Sequence, residues 1–259
     1  MNLALLVAYD GTDFRGLAKQ PGLETVQGTI EDRLSRVLRA ADIETTAAGR
    51  TDAGVHAEGQ VFSFAVDRAV SPEWLVTRLN AFRDARIVVR AAAVVPEDFD
   101  ARFSAVRRSY RYRIYVSPTP DPFKDRFAWQ VRTPLALAPM RAAARALIGE
   151  HDFSTFCRKG QGPLTRRIRS ITVTGSRAGA RTAVDGDEIL IEPVADSFCH
   201  QQVRALTGWL VACGSGARDP ADTPAVLAAR DRHAAAPIAP ARGLTLVEVT
   251  YPRDPFDAG

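Results

Sequence analysis

From Ser109 to Val116 the chain reads SYRYRIYV, arginine alternating with aromatic or aliphatic residues. A period of two is that of a β-strand, whose successive side chains point to opposite faces. One such face packs and the other stays wet, which is the habit of antiparallel sheets. The pattern excludes an all-helical fold and calls for a sheet with an open, basic face. The other segments supply more strands and the helices to cover them. LALLVAYDG (3 to 11) reads as a strand closed by a turn at Asp10-Gly11. Residues 25 to 41 place Ile30, Leu34, Val37 and Leu38 at helical spacing behind Thr25, a natural N-cap. VFSFAVD (61 to 67) is a strand, Ser71-Pro72 opens a helix to about Arg83, and ARIVVRAAAVV (85 to 95) is the next strand. The second half predicts a helix over 136–147, strands over 167–175 and 188–194, helices over 198–213 and 223–230, and a last strand over 244–252.

This is an α+β chain built of two strand–helix–strand halves of ferredoxin or RRM-like type. We expect residues 1–104 to form one domain and 105–259 the other. They would share a mainly antiparallel sheet, with helices on one side and a basic cleft on the other. Hydrophobic residues at 46% and charged residues at 25% are ordinary for a globular protein and exclude wholesale disorder. No apolar run is long enough to span a membrane, and the N-terminus lacks the basic start of a signal peptide. The three cysteines, Cys157, Cys199 and Cys213, show no CxxC spacing, which argues for a reducing, cytoplasmic setting and against a zinc knuckle.

Charge is uneven. Residues 1–100 carry a net −4 and residues 101–259 a net +8, within a total of +4. Arg102, Arg107, Arg108, Arg111 and Arg113 form one acid-free cluster, and Arg158, Lys159, Arg166, Arg167 and Arg169 form another. A single arginine run is commonly a solvated face. Two runs in one half, one interleaved with Tyr110, Tyr112 and Tyr115, point to RNA, whose unpaired bases stack on aromatic rings.

The segment most suited to chemistry is AAGRTDAGVHAEGQV, 47 to 61. Its glycines suit a loop that presents Arg50, Thr51, Asp52 and His56. By itself Thr-Asp-Ala-Gly is also what an ordinary capped turn looks like. The full string GRTDAGVHAEGQV is more specific, and resembles the signature of TruA-type pseudouridine synthases. Further matches follow in order over nearly the whole chain: Tyr9-Asp10-Gly11 with Phe14 and Gly16; Val26-Gln27-Gly28; Asp100 to Ala105 with Tyr110-Arg111-Tyr112; Phe198, His200, Val203-Arg204 and Gly208; and Gly243-Leu244, Leu246-Val247 and Tyr251-Pro252.

The resemblance implies isomerisation of uridine to pseudouridine at positions 38–40 of the tRNA anticodon stem-loop. Uracil is detached from C1′, turned, and rejoined through C5. No cofactor and no metal are implied, and the chain has no GxGxxG, P-loop or metal-ligand spacing. Asp52 matches the reacting aspartate, a carboxylate able to attack an electrophilic carbon; whether that carbon lies in the base or the ribose stays open. Arg204 matches the arginine that pairs with it, and Tyr110 the tyrosine lying against the target base. Arg50 suits the place vacated by an extruded base. Thr51, His56, Arg102, Tyr112 and Leu244 complete the expected substrate-binding set. The family also implies a homodimer with one tRNA touching both subunits.

Two other readings compete: a non-catalytic RNA-remodelling protein of the same fold, and a hydrolase pairing Asp52 with a metal or with Glu58. The sequence departs from the family at Leu17, usually tryptophan; at Gln202 and Ala205, usually methionine and asparagine; and at Phe82-Arg83, usually Leu-Pro. Those departures bear on the RNA target and the pocket wall. The loop around Asp52 is intact.

Overall fold

A computed structural model describes residues 1–158, 164–177, 179 and 181–257. The chain divides into two compact units, Met1–Arg107 with the segment from Thr245 onward, and Arg108–Leu244.

In the first unit the elements are β1 (Asn2–Tyr9), α1 (Val26–Leu38), β2 (Thr46–Ala47), β3 (His56–Ala65), α2 (Pro72–Asn80) and β4 (Ile87–Val95). β1 lies between β3 and β4, antiparallel to both. Its position explains its composition, because a strand paired on both edges needs apolar side chains throughout. Leu3, Leu5 and Val7 are fully buried, each contributing about 1.5–3 kcal/mol of hydrophobic stabilisation. α1 starts where Thr25 accepts the Gly28 N–H, and it buries Ile30, Leu34 and Leu38 at four-residue intervals. Its one inward arginine, Arg33, is held by Asp84 at 2.6 Å. Ser71 caps α2 through the Trp74 N–H, with Pro72 in the first turn, and Leu75 and Leu79 face inward. α2 packs against β4.

The second unit contains β5 (Arg107–Val116), β6 (Trp129–Val131), β7 (Leu135–Ala136), α3 (Leu137–Ala146), β8 (Gly149–Asp152), β9 (Thr165–Gly175), β10 (Thr182–Ala183), β11 (Glu188–Ala195), α4 (Gln202–Gly214) and α5 (Thr223–Ala229). β5, β11, β9 and β8 are antiparallel neighbours in that order, β6 runs parallel to β5, and β7 pairs β10. α3 lies on β9 and against α4. α4 is apolar nearly all round, with Val203, Leu206, Trp209, Leu210 and Cys213 buried. The Trp209 indole N–H is satisfied by Thr223 Oγ1 at 3.0 Å.

The α+β expectation holds, with a mainly antiparallel sheet in each unit. The division differs from a cut at residue 104/105. The closing strand β12 (Leu244–Thr250) leaves the second unit and adds to the first, pairing parallel with β3 at Thr245↔His56 and Leu246↔Ala57. Gly59 makes that approach possible, since a Cβ there would stand 2.3 Å from Val247 O. Two of the cysteines are neighbours in space. The sulfurs of Cys157 and Cys199 lie against one another, with their Cα atoms 5.8 Å apart, the spacing of a disulfide. A separation of 42 residues leaves no local motif to signal this pair. Cys213 is buried, which pushes its thiol up to about 11.

Candidate active site

The loop that carries Asp52 is framed by backbone. Asp52 to Val55 form a tight turn in which the Val55 N–H donates to Asp52 O at 3.1 Å. Gly54, at the third position, has φ +79. That is the conformation a type II turn requires there, and glycine reaches it without strain. The Thr-Asp-Ala-Gly order thus has a conformational reason. Asp52 takes the first position, where its side chain is half-buried, next to exposed Ala53 and exposed Arg50.

A second loop, leading from β1 to α1, closes over this turn. The Leu17 N–H donates to Thr51 O at 3.1 Å. Gly16, at φ +94, brings its backbone so near that a Cβ would sit 3.3 Å from the same oxygen. Gly11 is tighter still, its Cβ position lying 1.9 Å from Val55 O. Its N–H donates to His56 Nδ1 at 3.1 Å, and Asp10 Oδ1 stands 3.1 Å from the same nitrogen. Beneath the turn, the Tyr9 hydroxyl meets Thr51 Oγ1 at 2.8 Å, and Gln60 Nε2 donates to Gly49 O at 2.8 Å. Burial pushes the Tyr9 hydroxyl up to about 12, so it is the neutral phenol across the working range.

These contacts revise two expectations. His56 does not lie in a loop. It opens β3 and is only 3% exposed, so it braces the Asp10-Gly11 turn from inside and is not open to RNA. Thr51 is likewise buried, and its side chain faces Tyr9. Arg102 is exposed, with its guanidinium 5.2 Å from the Phe103 ring centre, in a turn whose N–H groups at Arg102 and Phe103 donate to Asp100.

In the second unit, β5 places Tyr110, Tyr112 and Ile114 on its packed face and Arg107 and Arg113 in water. Tyr110 is 8% exposed and meets Phe198 edge-on at 5.3 Å. Tyr112 is fully buried, contrary to the expectation that it binds substrate. Its ring lies under Gly243, where a Cβ would come within 2.6 Å, and its hydroxyl donates to Pro240 O at 2.7 Å. Burial raises that hydroxyl far above the ordinary tyrosine value, against the opposing pull of the Arg204 and Arg242 charges. Leu244 is also buried. Arg204, on the first turn of α4, donates from Nε to Ala239 O at 2.9 Å, and Ala239 N–H returns a bond to Arg204 O at 3.1 Å. The strand arginines divide by role. Arg108 is buried and donates to Asp196 O, Arg111 pairs with Glu192 at 3.0 Å, and Arg169 pairs with Asp196. Lys159 lies outside the described residues. Among the described residues, no three His, Cys, Asp or Glu side chains cluster as metal ligands do.

A sequence profile for "tRNA pseudouridine synthase" matches residues 5–104 and 143–252. The chain belongs to the tRNA pseudouridine synthase family. It is 44% identical over 259 residues to tRNA pseudouridine synthase A of Frankia casuarinae, covering 98% of this chain and 91% of that one. The namesake protein of Dinoroseobacter shibae is 43% identical over 98% of this chain and 97% of its own. That of Brevibacillus brevis is 40% identical over 96% and 99%. The activity of this family member is therefore isomerisation of uridine in tRNA.

Seen as a synthase, the chain accommodates its departures locally. Leu17 is buried and keeps the backbone bond to Thr51. Gln202 is fully buried, and its Oε1 accepts the Cys199 N–H at 2.9 Å, an anchor that methionine could not supply. Residue-by-residue reading missed Tyr9 and Gln60. Both stand in strands, where a polar atom on a packed side chain gives no local signal. The available clue is that a buried tyrosine hydroxyl must find a partner.

Proposed function

We propose that the enzyme converts uridine to pseudouridine at positions 38–40 of the tRNA anticodon stem-loop, with Asp52 as the reacting carboxylate. The supporting observation is the turn at Thr51–Val55: the Leu17 N–H holds the Thr51 carbonyl, the Val55 N–H closes the turn on Asp52 O, the Tyr9 hydroxyl meets the Thr51 side chain, and Asp52 is half-buried beside exposed Arg50. A carboxylate held on a fixed backbone and not sealed in the core is what a nucleophile or proton acceptor needs. The glycosidic N1–C1′ bond breaks, C5 bonds to C1′, the C5 proton is lost and N1 gains a proton. The oxidation level does not change, so the reaction needs no redox cofactor. Arg50 fills the stack left by the extruded base, which offsets part of the few kcal/mol that extrusion costs. Tyr110 and Arg204 enter the proposal from the motifs in which they stand, as the group against the base and a cationic partner in the reaction. We further propose that the working form is a cytoplasmic homodimer.

The test is tritium release from tRNA transcripts labelled at C5 of uridine, with EDTA and no added cofactor. Wild type releases tritium and forms pseudouridine at 38–40. Asp52→Asn binds tRNA but releases none. Full activity of Asp52→Asn, or modification confined to other positions, overturns the proposal.

A further inference from the structure

The frame under the turn contains a contact that the reaction as written does not use. Thr51 immediately precedes Asp52, and both polar ends of Thr51 are engaged: its carbonyl by the Leu17 N–H and its hydroxyl by Tyr9 at 2.8 Å. Tyr9 is the last residue of β1, a strand paired on both edges, and is only 4% exposed. Its backbone is held by pairing with both neighbouring strands. The same hydroxyl also interacts with the Gln60 side chain, whose amide donates to Gly49 O at 2.8 Å. One phenol thus links the central strand to residues on both sides of Arg50. Threonine suits the receiving end because its β-branch allows few χ1 rotamers. A bond to its hydroxyl therefore fixes the side chain, and with it the orientation of the peptide that leads into Asp52.

We propose that Tyr9 is a positioning residue for Asp52, acting through Thr51 Oγ1 and steadied by Gln60. It touches neither substrate nor the reacting atoms. Its hydroxyl sets the direction from which the carboxylate approaches the nucleotide. The proposal rests on Asp52 being the reacting group. Displacing a reacting group by about 1 Å costs on the order of 100-fold in rate, while binding made through the phosphates is untouched.

The experiment compares Tyr9→Phe, Thr51→Val and the double variant with wild type and Asp52→Asn. It measures single-turnover pseudouridine formation, the Kd for tRNA and the melting temperature. Tyr9→Phe keeps the ring in the core and removes only the hydroxyl. The expected result is a 10- to 100-fold fall in the single-turnover rate at saturating tRNA, with Kd unchanged. Thr51→Val, which removes the other end of the bond, should give a fall of similar size. The double variant should be no slower than the slower single one, because both remove the same bond. Thr51→Ser, which retains the hydroxyl, should lose less than Thr51→Val. A purely structural role would lower the melting temperature and leave the rate of the folded enzyme intact. A wild-type rate in folded Tyr9→Phe, or rate losses that multiply in the double variant, overturns this proposal while Asp52→Asn remains inactive. An active Asp52→Asn overturns the assignment of Asp52 and this proposal with it.

Discussion

The carboxylate proposed to react, Asp52, stands on a turn whose backbone neighbours leave it little room. Gly11 shows how little room exists, with a Cβ position 1.9 Å from Val55 O. Gly11→Ala should destabilise the protein by about 2–4 kcal/mol, because neither backbone can yield without disturbing the turn; urea denaturation reads this directly, and an unchanged midpoint would refute it. Arg50→Ala should leave folding intact, since Arg50 is exposed. It should slow modification of a stem-paired uridine by about tenfold or more while sparing an unpaired one, because only the paired base leaves a stack to be filled. Equal slowing of both would count against that role. Tyr9 gives a prediction at high pH. Its folded-state value, about 12, lies above the unfolded value of 10.0, so the folded chain holds the proton longer. The stability contributed by the neutral phenol is therefore complete below pH 10 and is lost as pH rises toward about 12. Ultraviolet titration should show a late phenolate phase that shrinks in Tyr9→Phe. What the sequence disclosed at this scale was the turn at Asp52–Val55, closed by Gly54. It did not disclose which side chains face inward, since His56 and Tyr112 are polar residues in promising motifs that the fold turns into braces.

Helices and long strands were legible because each carries several turns or alternations of pattern. Among the described residues the five α-helices overlap the segments whose apolar spacing predicted them, and two of them, α1 and α2, carry the expected caps Thr25 and Ser71. Thr25→Ala should cost about 1 kcal/mol of stability, measurable in the same denaturation experiment and refuted by a loss near zero. The start of α4 falls at Gln202 and not Phe198, because Gln201 takes a left-handed backbone at φ 65 that a helix cannot extend through. β6, β7, β8 and β10 are two to four residues long, too short for a period to show. They are strands only because a neighbour offers unpaired backbone. The basic run on β5 was legible as alternation, but its arginines do not all meet water. Arg108 turns inward to Asp196, and Arg111 is matched to Glu192. A charge run thus overstates the charge available to a polyanion.

For the whole molecule, net charge sets the response to salt. A chain of net +4 with its excess beyond residue 100 should lose tRNA affinity steeply as counterions are added. We expect at least about a tenfold loss between roughly 50 and 200 mM salt; filter binding would show it, and a flat response would sink the idea that phosphates carry the affinity. The cut between the units was not legible because it depends on where a strand pairs, not on how it reads. LTLVEVTYP announces a strand without naming its partner. That partner, β3, begins at His56, directly after the turn that holds Asp52. The order of synthesis then matters. When the ribosome has finished the aspartate loop and β3, the neighbour of that strand's first residues still lies beyond the whole second unit. At about 5–20 residues per second, the nascent first unit waits roughly 10–30 s with that edge open. Translation that stalls in between leaves a polypeptide that already owns the Asp52 turn but lacks the strand beside it. Maturation of the loop is thereby tied to synthesis of β12.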